Sequence, residues 1–192
     1  MTYYRRRLPH LSHDDQPVFL TWRLHGSLPT NRCFPPASTS GKAFAALDRL
    51  LDEATAGPFY LRQPRIANMV VEVLLHNAEA LGRYELQAFV VMPNHLHLLI
   101  APLMPVPQIT KRLKSYTAKL ANEMMLQTGH SFWQEEGYDH LVRNRDEWDR
   151  IKRYIELNPV RAGLARAAED YLWSSAGWAT RRSPADQRSA PP

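Results

Sequence analysis

The chain has 192 residues, of which 44% are hydrophobic and 22% charged, a composition that excludes a disordered protein and leaves room for about one domain. Its 24 Lys and Arg residues outnumber its 19 Asp and Glu residues, and the formal net charge of +5 favours a polyanionic partner. The single cysteine, Cys33, excludes an internal disulfide and a multi-cysteine metal finger.

The first predicted elements are one strand and two helices. Residues Pro17–His25 alternate in polarity and are rich in β-branched and aromatic types, which predicts a half-buried strand. A loop rich in Pro, Ser and Thr follows over residues 28–41. Apolar residues then recur twice at helical spacing, first at Phe44, Leu47, Leu50, Leu51 and Ala54, and again at Ile66, Val70, Val73, Leu74 and Leu81.

The middle of the chain predicts a hairpin and a third helix. The apolar runs Glu85–Met92 and His95–Ala101 are separated by the turn dipeptide Pro93-Asn94, as expected of two antiparallel strands. From Pro107 a helix carries an apolar stripe on which Tyr116 falls, so we expect Tyr116 to pack in the core. The stripe comprises Ile109, Leu113, Tyr116, Leu120 and Met124, and the basic residues Lys111, Arg112 and Lys119 lie outside it.

The last third predicts short strands over Ser131–Gln134 and Tyr138–Val142, then a helix that Asp146 opens and Asn158-Pro159 ends. We expect one domain over residues 1–178 with a basic N-terminal arm, and a disordered tail over residues 179–192. The sum of the elements predicts an α+β fold in which helices pack on one antiparallel sheet. A ferredoxin-like arrangement is the natural candidate.

Two pairs of polar residues could carry chemistry. His95 and His97 are two apart in a predicted strand, so both imidazoles project from one face and can reach one ion. Tyr154 and Asn158 are four apart in a predicted helix and share a face. Each pair also has an ordinary structural interpretation, as buried polar residues of a strand or as part of an amphipathic helix, and spacing alone leaves both readings open.

Basic residues could bind a phosphate backbone, which would make the affinity depend on salt. The candidates for DNA contact are Arg5, Arg6, Lys111, Arg112, Lys114 and Arg143. The sequence has no Gly-rich phosphate loop and no carboxylate-rich two-metal motif, so we expect no nucleotide cofactor. No stretch approaches the ~20 consecutive apolar residues of a membrane span, and no signal peptide is evident. We therefore expect a cytoplasmic protein without a membrane segment.

Residues 91–100 (VMPNHLHLLI) and 154–164 (YIELNPVRAGL), taken together, resemble the IS200-like single-tyrosine transposases of the HUH type, and among them the REP-associated tyrosine transposases. Shorter matches in the same order extend the resemblance from Tyr4 to Ser175. Residues 28–81 are matched only as helix. The ordered pair of motifs is the specific part of this resemblance.

The resemblance implies a ferredoxin-like fold and a divalent metal, Mg or Mn, held by His95, His97 and the amide of Asn158. It implies that Tyr154 attacks a DNA phosphate and forms a 5′-phosphotyrosine link with a free 3′-hydroxyl. The implied partner is single-stranded DNA with palindromic hairpins, and the protein is expected to be a monomer or a homodimer. Catalysis would then rest on Tyr154, His95, His97 and Asn158.

Two other functions remain open from the sequence. A domesticated relative would bind and regulate hairpin DNA without transposition, although the intact His and Tyr pairs speak against it. A zinc hydrolase would use His95, His97 and His140 with a water nucleophile, and would have no need of Tyr154.

Overall fold

The structure is a computed structural model that describes residues 16–28 and 40–181. The predicted N-terminal arm, with Arg5 and Arg6, lies outside the described residues, as do Cys33 and residues 182–192. No helix within the described ranges combines the length and the apolar character needed to cross a membrane.

Four antiparallel strands form one sheet in the order β2-β3-β1-β4. Their bounds are β1 Val18–Arg23, β2 Tyr84–Val91, β3 His95–Pro102 and β4 Tyr138–Leu141. The hairpin between β2 and β3 closes where the Met92 amide donates to the His95 carbonyl at 2.8 Å. Two interleaved β-α-β units with this strand order constitute the ferredoxin-like fold, so the predicted α+β class is confirmed.

In the part of the chain that the structure describes, five α-helices pack around the sheet. They are α1 Ser40–Asp52, α2 Pro64–Glu79, α3 Val106–Met124, α4 Arg145–Arg161 and α5 Ser175–Arg181. Helices α2 and α3 cover one face with a large apolar core that contains Leu96, Leu98 and Ile100 of β3. Helix α4 and the α1 residue Phe44 cover the other face, where Leu99 belongs to a smaller cluster. Alternate residues of β3 therefore face two different environments.

The free edge of β2 is partly covered by the chain that precedes and begins α5. The Val91 amide donates to the Trp173 carbonyl at 2.8 Å, and the Phe89 amide donates to Ser175 Oγ at 3.3 Å. Helix α5 continues through residues 179–181, although the sequence predicts a disordered tail from residue 179.

Tyr116 does not pack in the core, so this prediction is wrong. It is 53% exposed, while α3 buries Thr117 instead. Thr117 can be buried because its hydroxyl donates to the Leu113 carbonyl at 2.7 Å and accepts from Trp133 Nε1 at 2.9 Å. The helix thus buries Thr117 and leaves Tyr116 pointing outward.

The predicted end of α4 at Asn158-Pro159 is also wrong, because the helix includes Pro159 and ends at Arg161. Proline lacks an amide hydrogen, yet its carbonyl accepts from the Leu164 amide at 2.8 Å, and the Asn158 carbonyl accepts from Ala162 at 3.0 Å. One turn thus forms beyond the proline before the chain turns at Gly163, where φ is 70°.

Candidate active site and metal centre

The two histidines of β3 are buried and held in defined orientations. His95 Nδ1 lies 2.7 Å from Asn94 Oδ1, whose amide nitrogen donates to the Leu51 carbonyl at 2.9 Å. Because an amide oxygen only accepts, His95 Nδ1 carries the proton and its Nε2 keeps a lone pair. His97 Nδ1 lies 2.8 Å from Thr21 Oγ1 on β1. Because both Nδ1 atoms are engaged in this way, Nε2 is the atom that each imidazole can offer to a metal.

Helix α1 adds a carboxylate that sequence reasoning missed. Asp48 Oδ1 lies 3.0 Å from His97 Nε2 and 3.5 Å from His95 Nε2. The three residues are buried, and their ligand atoms all lie within 4.8 Å of one another. A signal was present in the sequence, since Asp48 falls between Leu47 and Leu51 on the predicted apolar stripe, where a charge needs a partner.

The protonation states suit a cation site. Burial, aided by His97, lowers the pKa of His95 to about 3, so its imidazole is neutral. Although burial acts to raise it, the pKa of Asp48 lies well below its usual range, because His97, His95 and the Tyr154 hydroxyl favour the ionised form. Burial and the charge of Asp48 raise the pKa of Asp52, whose Oδ1 is 3.9 Å from His95 Nε2, to about 7.

Four buried polar atoms at this point make no well-oriented hydrogen bond, although Asp48 Oδ1 lies 3.0 Å from His97 Nε2. They are Asp48 Oδ1, Asp52 Oδ1, His95 Nε2 and Asn158 Oδ1. Buried polar atoms in folded proteins are nearly always paired, and a divalent cation bound here would satisfy this group of acceptors. Two imidazoles and one carboxylate form a suitable donor set for a divalent metal. The residues Asp48, His95 and His97 thus fit such an ion.

Helix α4 brings Tyr154 and Asn158 to the same cluster. The Tyr154 hydroxyl donates to Asp48 Oδ2, and Asn158 Nδ2 lies 3.3 Å from both Asp48 Oδ2 and His97 Nε2. Burial and then the Asp48 charge raise the pKa of Tyr154 above its ordinary value. The two oxygens of Asp48 thus have different partners: Oδ1 faces the histidines and Oδ2 faces the tyrosine. The amide of Asn158 presents its nitrogen to His97, and its role as a metal ligand stays a prediction.

Aromatic rings fix the position of Tyr154. Its ring lies 5.9 Å from Phe44, 6.4 Å from Phe19 and 5.8 Å from His97, centroid to centroid. On another side the Arg161 guanidinium carbon lies 4.9 Å from the ring centroid. The hydroxyl is thereby held at the metal cluster by packing on three elements.

The other residues predicted from sequence lie apart from this site. Lys111 and Arg112 are exposed on α3, which packs on the opposite face of the sheet, and Arg143 is exposed after β4. The Lys114 amine donates to the backbone carbonyls of Gln134 at 2.6 Å and Glu135 at 2.9 Å. Lys114 therefore has a structural role in holding this loop.

His140 does not join the metal cluster. Its Nε2 lies 2.9 Å from Glu147 Oε1 on α4, and the histidines grouped at the centre are His95 and His97 together with Asp48. The three-histidine zinc site considered above is therefore not formed. His140 instead links β4 to α4, in the ordering role expected of a hydrogen-bonded histidine.

Comparisons with known proteins bear on the same residues. The family model described as "Transposase IS200 like" matches residues 61–158, a range that includes both histidines, Tyr154 and Asn158 but not Asp48. The chain is 25% identical over 93 residues to the REP-associated tyrosine transposase of Escherichia coli K12. That alignment covers 48% of this chain and 54% of the relative, so it spans about half the relative's length.

A solved structure shares the fold. It is described as a REP-associated tyrosine transposase bound to a REP hairpin, and the superposition has a TM-score of 0.57. The alignment covers 95% of this chain and 87% of that one, at 17% identity. At this identity the likeness concerns the arrangement of helices and strands.

Proposed function

The chain belongs to the IS200-like transposase family, and from this premise we propose that it is a metal-dependent single-strand DNA endonuclease and strand transferase with a 5′-phosphotyrosine intermediate. The observation that carries the proposal is the contact between the Tyr154 hydroxyl and Asp48, whose other oxygen faces His95 and His97. A nucleophile and a cation site are thus joined by one carboxylate.

Asp48, His95 and His97 would hold a divalent ion, Mg or Mn, with Asn158 as a further ligand. The bound ion would withdraw charge from the scissile phosphate and favour departure of the 3′-oxygen. Thr21 and Asn94 support this arrangement, because their hydrogen bonds to the Nδ1 atoms fix both imidazoles. The histidines and their hydrogen-bond partners come from separate segments of the chain, and the sheet brings them together.

In the reaction the Tyr154 oxygen forms a bond to phosphorus, and the bond from phosphorus to the 3′-oxygen breaks. The hydroxyl proton leaves toward Asp48 Oδ2, and a proton ends on the departing 3′-oxygen. One DNA fragment then ends in a 3′-hydroxyl, and the other is joined to Tyr154 through its 5′-phosphate. The phosphotyrosine bond replaces the phosphodiester bond that was broken. Attack by a 3′-hydroxyl on the phosphotyrosine rejoins DNA by the reverse of the first step. No nucleotide is consumed.

We propose palindromic hairpin DNA as the substrate. Two observations support it: the matched solved relative is described as bound to a REP hairpin, and the chain carries an excess of basic residues. Exposed Lys111, Arg112 and Arg143 are candidates for phosphate contact, and Arg5 and Arg6 remain candidates from the sequence. Such contacts would position the DNA without reading its sequence.

The decisive experiment traps the covalent intermediate. Purified protein is incubated with 3′-labelled single-stranded hairpin DNA and Mg²⁺ or Mn²⁺, and the label that migrates with protein in SDS is measured. We expect an adduct that Tyr154→Phe abolishes and that the control Tyr116→Phe, at an exposed position, retains. An adduct formed by Tyr154→Phe would refute the mechanism. Metal-dependent cleavage without an adduct would support hydrolysis, and binding without cleavage would support the regulatory alternative.

A further inference from the structure

A third residue of α4 lies on the face that carries Tyr154 and Asn158. Arg161 follows Tyr154 by seven residues, two helical turns, and its guanidinium carbon lies 4.9 Å from the Tyr154 ring centroid. Its position depends on the helical turn beyond Pro159, which the Ala162 and Leu164 amides close. Arg161 lies outside the residues that the family model matches.

Arg161 differs from most cations of its helix in having no acidic partner among the described residues. Lys152 pairs with Glu156 at 2.6 Å and Arg145 pairs with Asp149 at 3.3 Å. Arg161 is exposed, and among residues 16–28 and 40–181 no carboxylate lies within ion-pair distance of it. Its guanidinium is thus available to an anion that approaches the tyrosine from solvent.

The charges around Tyr154 explain why a cation at the position of Arg161 would help to bind a phosphate. The carboxylates Asp48 and Asp52 lie on the inner side of the tyrosine, where they would repel a phosphate. The positive charge of Arg161, whose guanidinium carbon lies 4.9 Å from the Tyr154 ring centroid, acts against this repulsion. A guanidinium also presents parallel donors that match two phosphate oxygens, and stacking on an aromatic ring limits its motion.

We propose that Arg161 binds the non-bridging oxygens of the phosphate that Tyr154 attacks, and holds the same oxygens in the phosphotyrosine. This inference rests on the proposed function and adds a catalytic residue to it. Negative charge on these oxygens is stabilised by a fixed donor, which speeds the chemical step more than it tightens DNA binding.

The test compares Arg161→Gln with Arg153→Gln, which removes the same charge from an exposed position on the same helix. The rate of adduct formation is measured in single turnover at saturating hairpin DNA, with the Kd measured separately. We expect Arg161→Gln to slow the step about 10²- to 10³-fold, the range for loss of one such donor, and to change the Kd less than about 3-fold. Arg161→Lys should recover part of the rate, because it keeps the charge without the planar fork.

A sulfur substitution separates contact with the phosphate from a structural effect. Each phosphorothioate diastereomer at the scissile position is tested, and the diastereomer with sulfur at the guanidinium should slow the parent but not Arg161→Gln. Equal rates for Arg161→Gln and Arg153→Gln, or an unchanged sulfur effect in Arg161→Gln, would overturn the inference while leaving the proposed function intact. A parent protein that forms no adduct would overturn both.

Discussion

The two faces of the central sheet are equally buried but differ in polarity. On β3, Leu96 and Leu98 face α2 and α3, while His95 and His97 face α1 and α4, and all four side chains are 0% exposed. The first face is packed mainly with apolar side chains, whereas the second brings to one point four buried polar atoms that make no well-oriented hydrogen bond. Burial alone therefore does not distinguish core from site in this protein. What distinguishes them is whether the buried groups are satisfied by the chain itself.

The difference between the two faces is tested most directly by truncating neighbouring residues of β3 that lie on opposite faces. His97→Ala should reduce adduct formation by at least about 10²-fold, because it removes one of the three residues that would hold the metal and the partner of Asp48. Leu98→Ala should instead lower the free energy of unfolding by about 2–5 kcal/mol, the usual cost of such a core truncation. Urea denaturation and the SDS adduct assay measure the two effects.

A loss of activity from truncation on the apolar face would contradict the separate roles of the two faces. If Leu98→Ala lost activity per folded molecule as completely as His97→Ala, the two faces would not be functionally separate. Calorimetric titration with Mn²⁺ gives an independent check, since weakened metal binding is expected of His97→Ala and not of Leu98→Ala.

A smaller effect is expected in the pH dependence of the metal-free protein. Because burial lowers the pKa of His95 to about 3 in the folded protein, keeping this histidine neutral disfavours folding increasingly as the pH drops from 6.5 toward 3. The pKa of Asp52 rises to about 7, so its contribution has the opposite sign and stability falls as the pH rises from about 4 to 7. The two effects largely offset each other in the parent protein.

Asp52→Asn should remove one side of that balance. As the pH is raised from 4 to 6.5, the free energy of unfolding of the variant should increase relative to that of the parent, by up to about 1.4 kcal/mol per pH unit. Urea denaturation in EDTA at several pH values measures the slope, with the exposed Asp149→Asn as the control. Parallel curves for Asp52→Asn and the parent would show that Asp52 is not perturbed by the site.

The smallest expected effects separate two lysines of α3. Lys114→Ala should lower the free energy of unfolding by about 1–3 kcal/mol, because two loop carbonyls lose a charged donor. Lys111→Ala, at an exposed position, should leave stability unchanged and reduce the salt dependence of hairpin binding by about one phosphate, a slope change of roughly 0.7–0.9. An unchanged slope for Lys111→Ala would remove this helix face from the DNA footprint.

The sequence predicted those parts of the site that depend on local periodicity. His95 and His97 share a face because a strand alternates, and Tyr154 and Asn158 share one because a helix repeats every 3.6 residues. Their convergence followed from the resemblance of two motifs. The hairpin turn at Pro93-Asn94 was predicted in the same way, from residues adjacent in the chain.

What depended on distant contacts was not predicted. Asp48 reaches the histidines only because α1 packs against the turn after β2, where Asn94 binds the Leu51 carbonyl. Lys114 has its structural role because the loop after α3 returns to it. In both cases the deciding partner lies at least 20 residues away in the sequence, beyond the reach of any helical or strand pattern.

The chain that covers the β2 edge has a consequence for solubility. An exposed strand edge is a template on which another chain can add a strand, and β2 is long and apolar over Ala88–Val91. The Trp173 carbonyl accepts from the Val91 amide, Ser175 Oγ accepts from the Phe89 amide, and the Tyr171 hydroxyl donates to the Val91 carbonyl at 2.9 Å. This short segment therefore also blocks edge-to-edge aggregation, and a chain that ended before Tyr171 would expose a surface competent to polymerise.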